Sequence, residues 1–230
     1  EESTCATLVE CLGVIKGWSQ LNPQHLTIMV WLEMKTGSSN AKPESLRRVE
    51  DRISSVFGED HLLTPKQVKG DYSSVREALT TEGWPTLAQV RGKIAFVLLN
   101  SDHVTDYLAL HPDSIGGLLF PAASLSQFDE PWAAITKFND PKTEDGIRFA
   151  LEKNLLVASN ICNADMSDEA CEANRLAGLS NGVMMLKDDF PEKVASREYW
   201  LDLPNSNPAR CNEQTAPAFC VAEALENLGK

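Results

Sequence analysis

The stretch Leu87-Ala-Gln-Val-Arg-Gly-Lys-Ile-Ala-Phe-Val-Leu-Leu-Asn100 decides the fold. A turn, Gly83-Trp84-Pro85-Thr86, stands just before it. Arg91-Gly92-Lys93 is a polar launch into an apolar, β-rich run. Without polar/apolar alternation, such a run predicts a strand buried on both faces, as in a parallel sheet. Three more segments of this kind stand at wide spacing, separated by helical patterns. That arrangement predicts an α/β fold of the (β/α) barrel type, in which chemistry sits where strands end.

Working outward, Thr4 to Ser19 reads as a helix, with Leu8, Leu12 and Ile15 near helical spacing and Thr4 as cap. Asn22-Pro23 breaks it. His25 to Lys35 is the first strand, with Glu33 and Lys35 at its carboxyl end. Pro43 to Phe57 is helical, with Leu46, Val49, Ile53 and Val56 on one face. Thr64 to Thr80 is helical with an interruption at Gly70-Asp71, and Lys93 to Asn100 is the second strand. Thr105 to Leu110 is a short helix, and Gly117 to Ala122 a short apolar run. Strand three is Ala133 to Phe138, followed by a helix over Thr143 to Lys153. Strand four is Leu155 to Ser159, the next helix Asp168 to Leu179, and strand five Gly182 to Leu186. Residues 191–230 read as a loop-rich tail pinned by Cys211 and Cys220. About five β/α units result where a closed barrel needs eight. The expectation is one barrel domain over residues 1–230 that supplies roughly the last five strands.

The chain has 230 residues, a formal net charge of −12 and a pI near 4.8. An acidic surface argues against nucleic-acid binding and against adsorption to anionic membranes. No apolar run reaches the length of a transmembrane segment. The opening Glu1-Glu2-Ser3-Thr4, with no initiator Met and no signal peptide, reads as a processed or truncated start.

Six cysteines fall in local pairs: Cys5 and Cys11, Cys162 and Cys171, Cys211 and Cys220. An even count at short spacing predicts disulfides and an oxidising, extracellular compartment. The alternatives are buried thiols or zinc. Zinc is disfavoured because no C-x-x-C spacing occurs and no His sits among the pairs. Cys5 and Cys11 on one helix would stand roughly 9 Å apart. Either Cys5 precedes the helix or it pairs with a cysteine elsewhere.

The order of several motifs resembles the secreted, calcium-dependent, phosphoinositide-specific phospholipase C-like family. The matching stretches are Cys5-Ala-Thr-Leu with Glu10-Cys11-Leu12, Ile15-Lys16-Gly17-Trp18-Ser19 with Asn22-Pro23, and Leu32-Glu33-Met34-Lys35. Leu63-Thr64-Pro65, Lys69-Gly70-Asp71-Tyr72, Gly83-Trp84-Pro85-Thr86-Leu87 and Arg91-Gly92-Lys93 follow. Asp188-Asp189-Phe190-Pro191 and Arg210-Cys211-Asn212 close the series.

The resemblance implies a TIM barrel hydrolase acting on phosphoinositide lipid or another phosphodiester. It also implies a histidine pair on the first strands, one in a Thr-His-Asn-Ser motif. One histidine serves as base toward the inositol 2-hydroxyl, the other as acid toward the leaving group. His25, His61, His103 and His111 stand in no such motif, so each reads as a packing or surface residue and the catalytic residues stay unknown. The pair is expected on an N-terminal companion segment or chain.

Glu33 matches the family's glutamate at the end of the fourth strand, a calcium ligand, with Lys35 two residues on and facing the same way. The plainer reading makes Glu33 and Lys35 a solvated ion pair. Asn100, Lys187 and Asp189 also close strands, so all five are expected at the carboxyl-terminal mouth as metal or substrate contacts. Two departures stand out. Where the family has Val-Arg-Thr-Arg-Ala-Asp, this chain has Val157-Ala158-Ser159-Asn160-Ile161-Cys162, without the two arginines that grip phosphate. Where it has Ser-Thr-Asp-Tyr, this chain has Lys187-Asp188-Asp189-Phe190. Three functions follow for test: a phosphodiesterase completed by the companion segment, a catalytically inactive binding or structural barrel, and an unrelated secreted α/β protein.

Overall fold

The computed structural model describes residues 5–34, 43–99, 101–163, 165–188, 199–203 and 209–225. They divide into two compact units. One comprises residues 1–122 with 129–134, the other 123–128 with 135–230.

In the first unit, helix α1 (Leu8–Leu21) leads to strand β1 (Ile28–Leu32) and helix α2 (Pro43–Val56). Short helices α3 (Pro65–Lys69), α4 (Val75–Thr81) and α5 (Leu87–Val90) precede strand β2 (Ile94–Leu98). Helix α6 (Ser101–Leu110) and strand β3 (Leu119–Pro121) complete it. The sheet order is β1-β2-β3, parallel throughout, with Ile28 beside Ile94 and Phe96 beside Leu119. All five residues of β2 are buried, as the unbroken apolar run requires. The launch into β2 needs its glycine: Gly92 has φ +72° and a Cβ there would lie 2.5 Å from the Pro23 carbonyl oxygen. Its N–H donates to the His25 carbonyl at 2.9 Å, fixing the start of β1 against that of β2.

The second unit holds strand β4 (Ile135–Phe138), helix α7 (Glu144–Glu152), strand β5 (Leu156–Cys162), helix α8 (Asp168–Ser180), strand β6 (Met184–Lys187) and a last turn of helix, α9 (Ala222–Leu225). Its sheet order is β4-β5-β6, again parallel. The described strands therefore form two three-stranded sheets rather than a closed ring.

Most elements lie where the pattern puts them, and several depart, among them helix α5 inside the deciding stretch and helix α9 in the tail read as a loop. Among the described residues there are six strands, because Leu119–Pro121 inside the 117–122 apolar run pairs with β2. Three residues are too few to show a period, and Pro121 sits at the strand end, where its missing donor costs little. Helix α6 starts at Ser101, four residues earlier than its apolar spacing implies. Strand β5 runs on through Asn160, Ile161 and Cys162. The cap of α1 is Thr7, which with Glu10 forms a capping box; Thr4 lies outside the described residues.

Disulfides join Cys5 to Cys11, Cys162 to Cys171 and Cys211 to Cys220. Cys5 precedes the cap of α1, which brings its Cα to 5.5 Å from that of Cys11. Cys162 and Cys171 are buried with Ile161, and Met166, Met185, Tyr199 and Leu201 pack around them.

A buried polar cluster ties α2 and α6 to the entry of β3. Glu50 Oε1 accepts from the Tyr107 hydroxyl and from the Leu118 N–H, both at 2.7 Å. Its Oε2 lies 2.8 Å from His111 Nε2. The Tyr107 oxygen also accepts from the Leu119 N–H at 2.9 Å. Gly117 leaves room for this cluster, since a Cβ there would collide with the Tyr107 hydroxyl. Tyr107→Phe takes the acceptor from the Leu119 N–H and one of two donors from Glu50 Oε1. The expected cost is about 1–3 kcal/mol, read from chemical denaturation at unchanged secondary structure.

Candidate functional site

In a parallel sheet the carboxyl ends of the strands carry chemistry. Glu33 directly follows the last residue of β1 and is exposed. Lys187 is the last residue of β6, half-buried, and its ammonium donates to the Asp188 carbonyl at 3.3 Å. Both occupy the strand-end positions that the pattern assigns them, Glu33 in the first unit and Lys187 in the second. Lys35, Asn100 and Asp189, the other three residues of the expected mouth, lie outside the described residues.

On β5, at the two positions where the resemblance calls for arginines, Ala158 is buried and Asn160 half-buried within the strand. Such small side chains offer no cationic grip on a phosphate. Calcium takes six to eight oxygens, and Glu33 can give at most two. Among the described residues no group of three or more His, Cys, Asp or Glu comes together to hold a metal ion. The described residues thus do not fit a calcium site on their own.

Three of the four histidines stand away from the carboxyl ends of the strands; His103, in the first turn of α6 just past β2, does not. His25 lies ahead of β1, buried. Its Nδ1 lies 2.5 Å from the Leu26 carbonyl and its Nε2 2.8 Å from Ser19 Oγ. A carbonyl only accepts, so Nδ1–H donates to it, and the contact with Ser19 Oγ occupies the other ring nitrogen; this is a packing histidine. Trp18 covers the ring at 5.2 Å. His61 is exposed in a 3-10 turn (Glu59–His61) ahead of Leu62, which bridges to Ile94 at the start of β2. His111 is engaged by Glu50. His103 is buried in the first turns of α6, and its Nδ1 has no hydrogen-bond partner among the described residues.

Two constellations escape motif reading. The first is Glu50 with Tyr107 and His111. Its one sequence signal is a carboxylate at position 50 on the face that Leu46 and Ile53 bury. Burial, reinforced by the Glu50 charge, pushes the Tyr107 hydroxyl far above the ordinary tyrosine range, so it stays a donor to Glu50. The second lies on α8. Arg175 grips Glu172 with two hydrogen bonds of 2.6 and 2.8 Å and donates to the Asp202 carbonyl at 3.2 Å. Tyr199 donates to Glu172 at 3.3 Å. Residues 199–203 are thereby fastened beside the Cys162–Cys171 bridge. The Arg175 hydrogen bonds hold the Glu172 carboxyl below its ordinary value.

The same fold occurs in solved calcium-dependent enzymes. A phosphatidylinositol-specific phospholipase C from Streptomyces antibioticus aligns with a TM-score of 0.60 at 17% identity, over 82% of this chain and 72% of that one. An apo form of the phosphoinositol-specific enzyme of a Gram-negative Pseudomonas species aligns at 0.56 with 15% identity, over 81% of this chain and 67% of that one. The structure of that enzyme described as an apo form and myoinositol complex aligns at 0.51 with 17% identity; this chain matches over 66% of its length and spans only 57% of that structure. At such identities the likeness establishes the fold. Among curated protein sequences none matches this chain. The family model for calcium-dependent phosphoinositide phospholipase C matches residues 1–213, and the chain belongs to that family.

The depressed Glu172 carboxyl sets a pH dependence. A carboxyl whose folded value is lowered contributes stability above its ordinary value of 4.5 and loses it as pH falls through the folded value. Acidification below about pH 4.5 is therefore expected to lower the amide protection of residues 199–203, once exchange is corrected for its intrinsic pH dependence. Glu172→Gln is expected to produce the same loosening at neutral pH, and exchange mass spectrometry reads both.

Proposed function

We propose that this chain is the carboxyl-terminal portion of a phospholipase C-like phosphodiesterase barrel. It acts on phosphoinositide or a related phosphodiester, with calcium, once an N-terminal companion segment supplies the histidine pair. The observation that carries this reading is the family match over residues 1–213, combined with histidines spent elsewhere: His25 in packing, His111 on Glu50. Within this reading the companion's histidines take the proton from the inositol 2-hydroxyl and deliver one to the leaving oxygen. Lys35 and Lys187 hold phosphate oxygens as point charges. Asn100 and Asp189 orient the ligand's hydroxyls. Glu33 contributes to a calcium shell whose remaining ligands come from outside the described residues. Three disulfides support a secreted protein, since such bridges persist in oxidising compartments.

A second reading, a catalytically inactive barrel that binds its ligand or serves a structural role, is favoured by one observation. Ala158 and Asn160 of β5 stand where the family has its paired arginines, which removes bidentate phosphate recognition.

The isolated 230-residue chain is expected not to hydrolyse phosphatidylinositol and to bind calcium in the millimolar range or weaker, with Glu33→Gln changing the titration little. The native full-length protein is expected to hydrolyse the lipid in a calcium-dependent way. Hydrolysis by the isolated chain that Glu33→Gln abolishes overturns this reading. Vesicle binding without turnover by the native protein selects the inactive alternative.

A further inference from the structure

The segment that holds α3, α4 and α5 begins and ends at one corner of the first unit. Just ahead of α3, Leu62 bridges to Ile94 and the Leu63 N–H donates to the Ile94 carbonyl at 2.9 Å. Just past α5, the Lys93 N–H donates to the Val90 carbonyl at 3.3 Å. Both anchors stand at the amino-terminal end of β2, whereas the residues of the expected mouth close strands at their carboxyl ends. Between its anchors the segment folds around a groove of about 680 Å³. That volume lies in the range of small-molecule sites.

The groove combines buried apolar lining, aromatic rings and polar groups. Val68 and Ala78 line it and are buried. Tyr72 and Trp84 line it half-buried, and Trp84 is braced by the buried Phe120 of β3, with 5.9 Å between ring centroids. Gly70 and Gly83 also line it, with φ of +54° and +83°, and a Cβ at either would meet no atom within 4 Å. The backbone turns at these two positions therefore leave the groove wide. Among the described residues nothing hydrogen-bonds the Gln67 side chain. Gln89 spends its Oε1 on the Thr86 N–H and hydroxyl, both at 2.8 Å, and keeps its amide N–H groups for another partner. Hydrogen bonding to the Glu82 carboxylate raises the Tyr72 hydroxyl above its ordinary value, so the phenol keeps its proton.

We propose that this groove binds a neutral saccharide, with pyranose rings laid against Tyr72 and Trp84 and their hydroxyls held by Gln67, Gln89 and Glu82. A pyranose presents C–H groups on its faces and hydroxyls around its rim. The faces suit the apolar bodies of aromatic side chains. The hydroxyls both donate and accept, as do the side-chain amides, while a carboxylate accepts from them. An anionic ligand fits less well. Asp71 and Glu82 outnumber Lys69 in the lining, and the Lys69 ammonium donates to the Gly70 carbonyl at 3.2 Å. An organic cation would find the rings and the carboxylates but gain nothing from the amide N–H groups. The site does not rest on the phosphodiesterase reading, because its residues belong to the connection ahead of β2 and not to the strand ends.

The test titrates the 230-residue chain with cellotetraose, maltotetraose, mannotetraose and xylotetraose, followed by tryptophan fluorescence and calorimetry. At least one is expected to bind with a Kd of about 0.1–1 mM. Tyr72→Ala is expected to weaken that binding roughly tenfold or more, and Gln67→Ala roughly fivefold. Gln67 is exposed, so Gln67→Ala is expected to leave the melting temperature unchanged and reads binding apart from folding. Co-sedimentation with the matching insoluble polysaccharide assigns the polymer as the source of the ligand, and binding of the tetrasaccharide alone assigns a short saccharide; both support the site. Binding of none of the four at about 10 mM overturns the proposal. Saccharide binding that Gln67→Ala and Tyr72→Ala leave unchanged overturns it as well, as does a groove that takes choline chloride or inorganic phosphate in preference to every saccharide.

Discussion

Burying Ile94–Leu98 on both faces, with parallel neighbours on both sides, is the constraint from which the first unit follows. A parallel strand cannot be reached by a tight turn, so each neighbour arrives through helical connections. The chain must also enter the strand from a crowded corner. There Gly92 adopts a conformation closed to other residues, and Lys93 sends its ammonium to the Asp60 and Leu62 carbonyls at 3.0 and 3.2 Å. Leu62 and Leu63 are drawn in by the same corner, through a parallel bridge to Ile94 and a 2.9 Å hydrogen bond to its carbonyl. The polar launch that looks like a loop in the sequence is a clamp on the strand's entry.

Polar groups inside this framework are tolerated because they are paired. Glu50 is largely withdrawn from solvent, and its donors come from a phenol, an imidazole and a backbone amide. Three donors offset a desolvation that a single one would not. The second unit meets the same requirement nearer its surface, where Arg175 serves both the Glu172 carboxylate and the carbonyl of Asp202. In both places a charged side chain organises backbone from a distant part of the chain. That makes each cluster a structural joint rather than a catalytic one.

The α/β class and the parallel direction of the strands are legible in the sequence because long apolar runs between helical patterns allow few other arrangements. Gly70, with φ +54°, interrupts α3 and α4 where the Gly-Asp pair reads as a break. The local cysteine pairs form the bridges their spacing suggests. Strand β3 is not legible: three residues define no period, and only pairing with Phe96, Val97 and Leu98 makes Leu119–Pro121 a strand. Of the expected mouth, Glu33 and Lys187 can be placed by counting to a strand's end. The partnership of Glu50, Tyr107 and His111 joins residues up to 61 positions apart, and no local rule links them.

The three disulfides span separations of 6, 9 and 9 residues. Six thiols can pair in 15 ways. Loop closure favours near partners, and here each cysteine's partner is its nearest neighbour along the chain. Oxidation of the extended polypeptide is therefore biased toward the native set before any sheet exists. The maturation route of this protein places little demand on disulfide reshuffling, and the covalent staples act as early local guides to folding rather than as late locks on a finished structure.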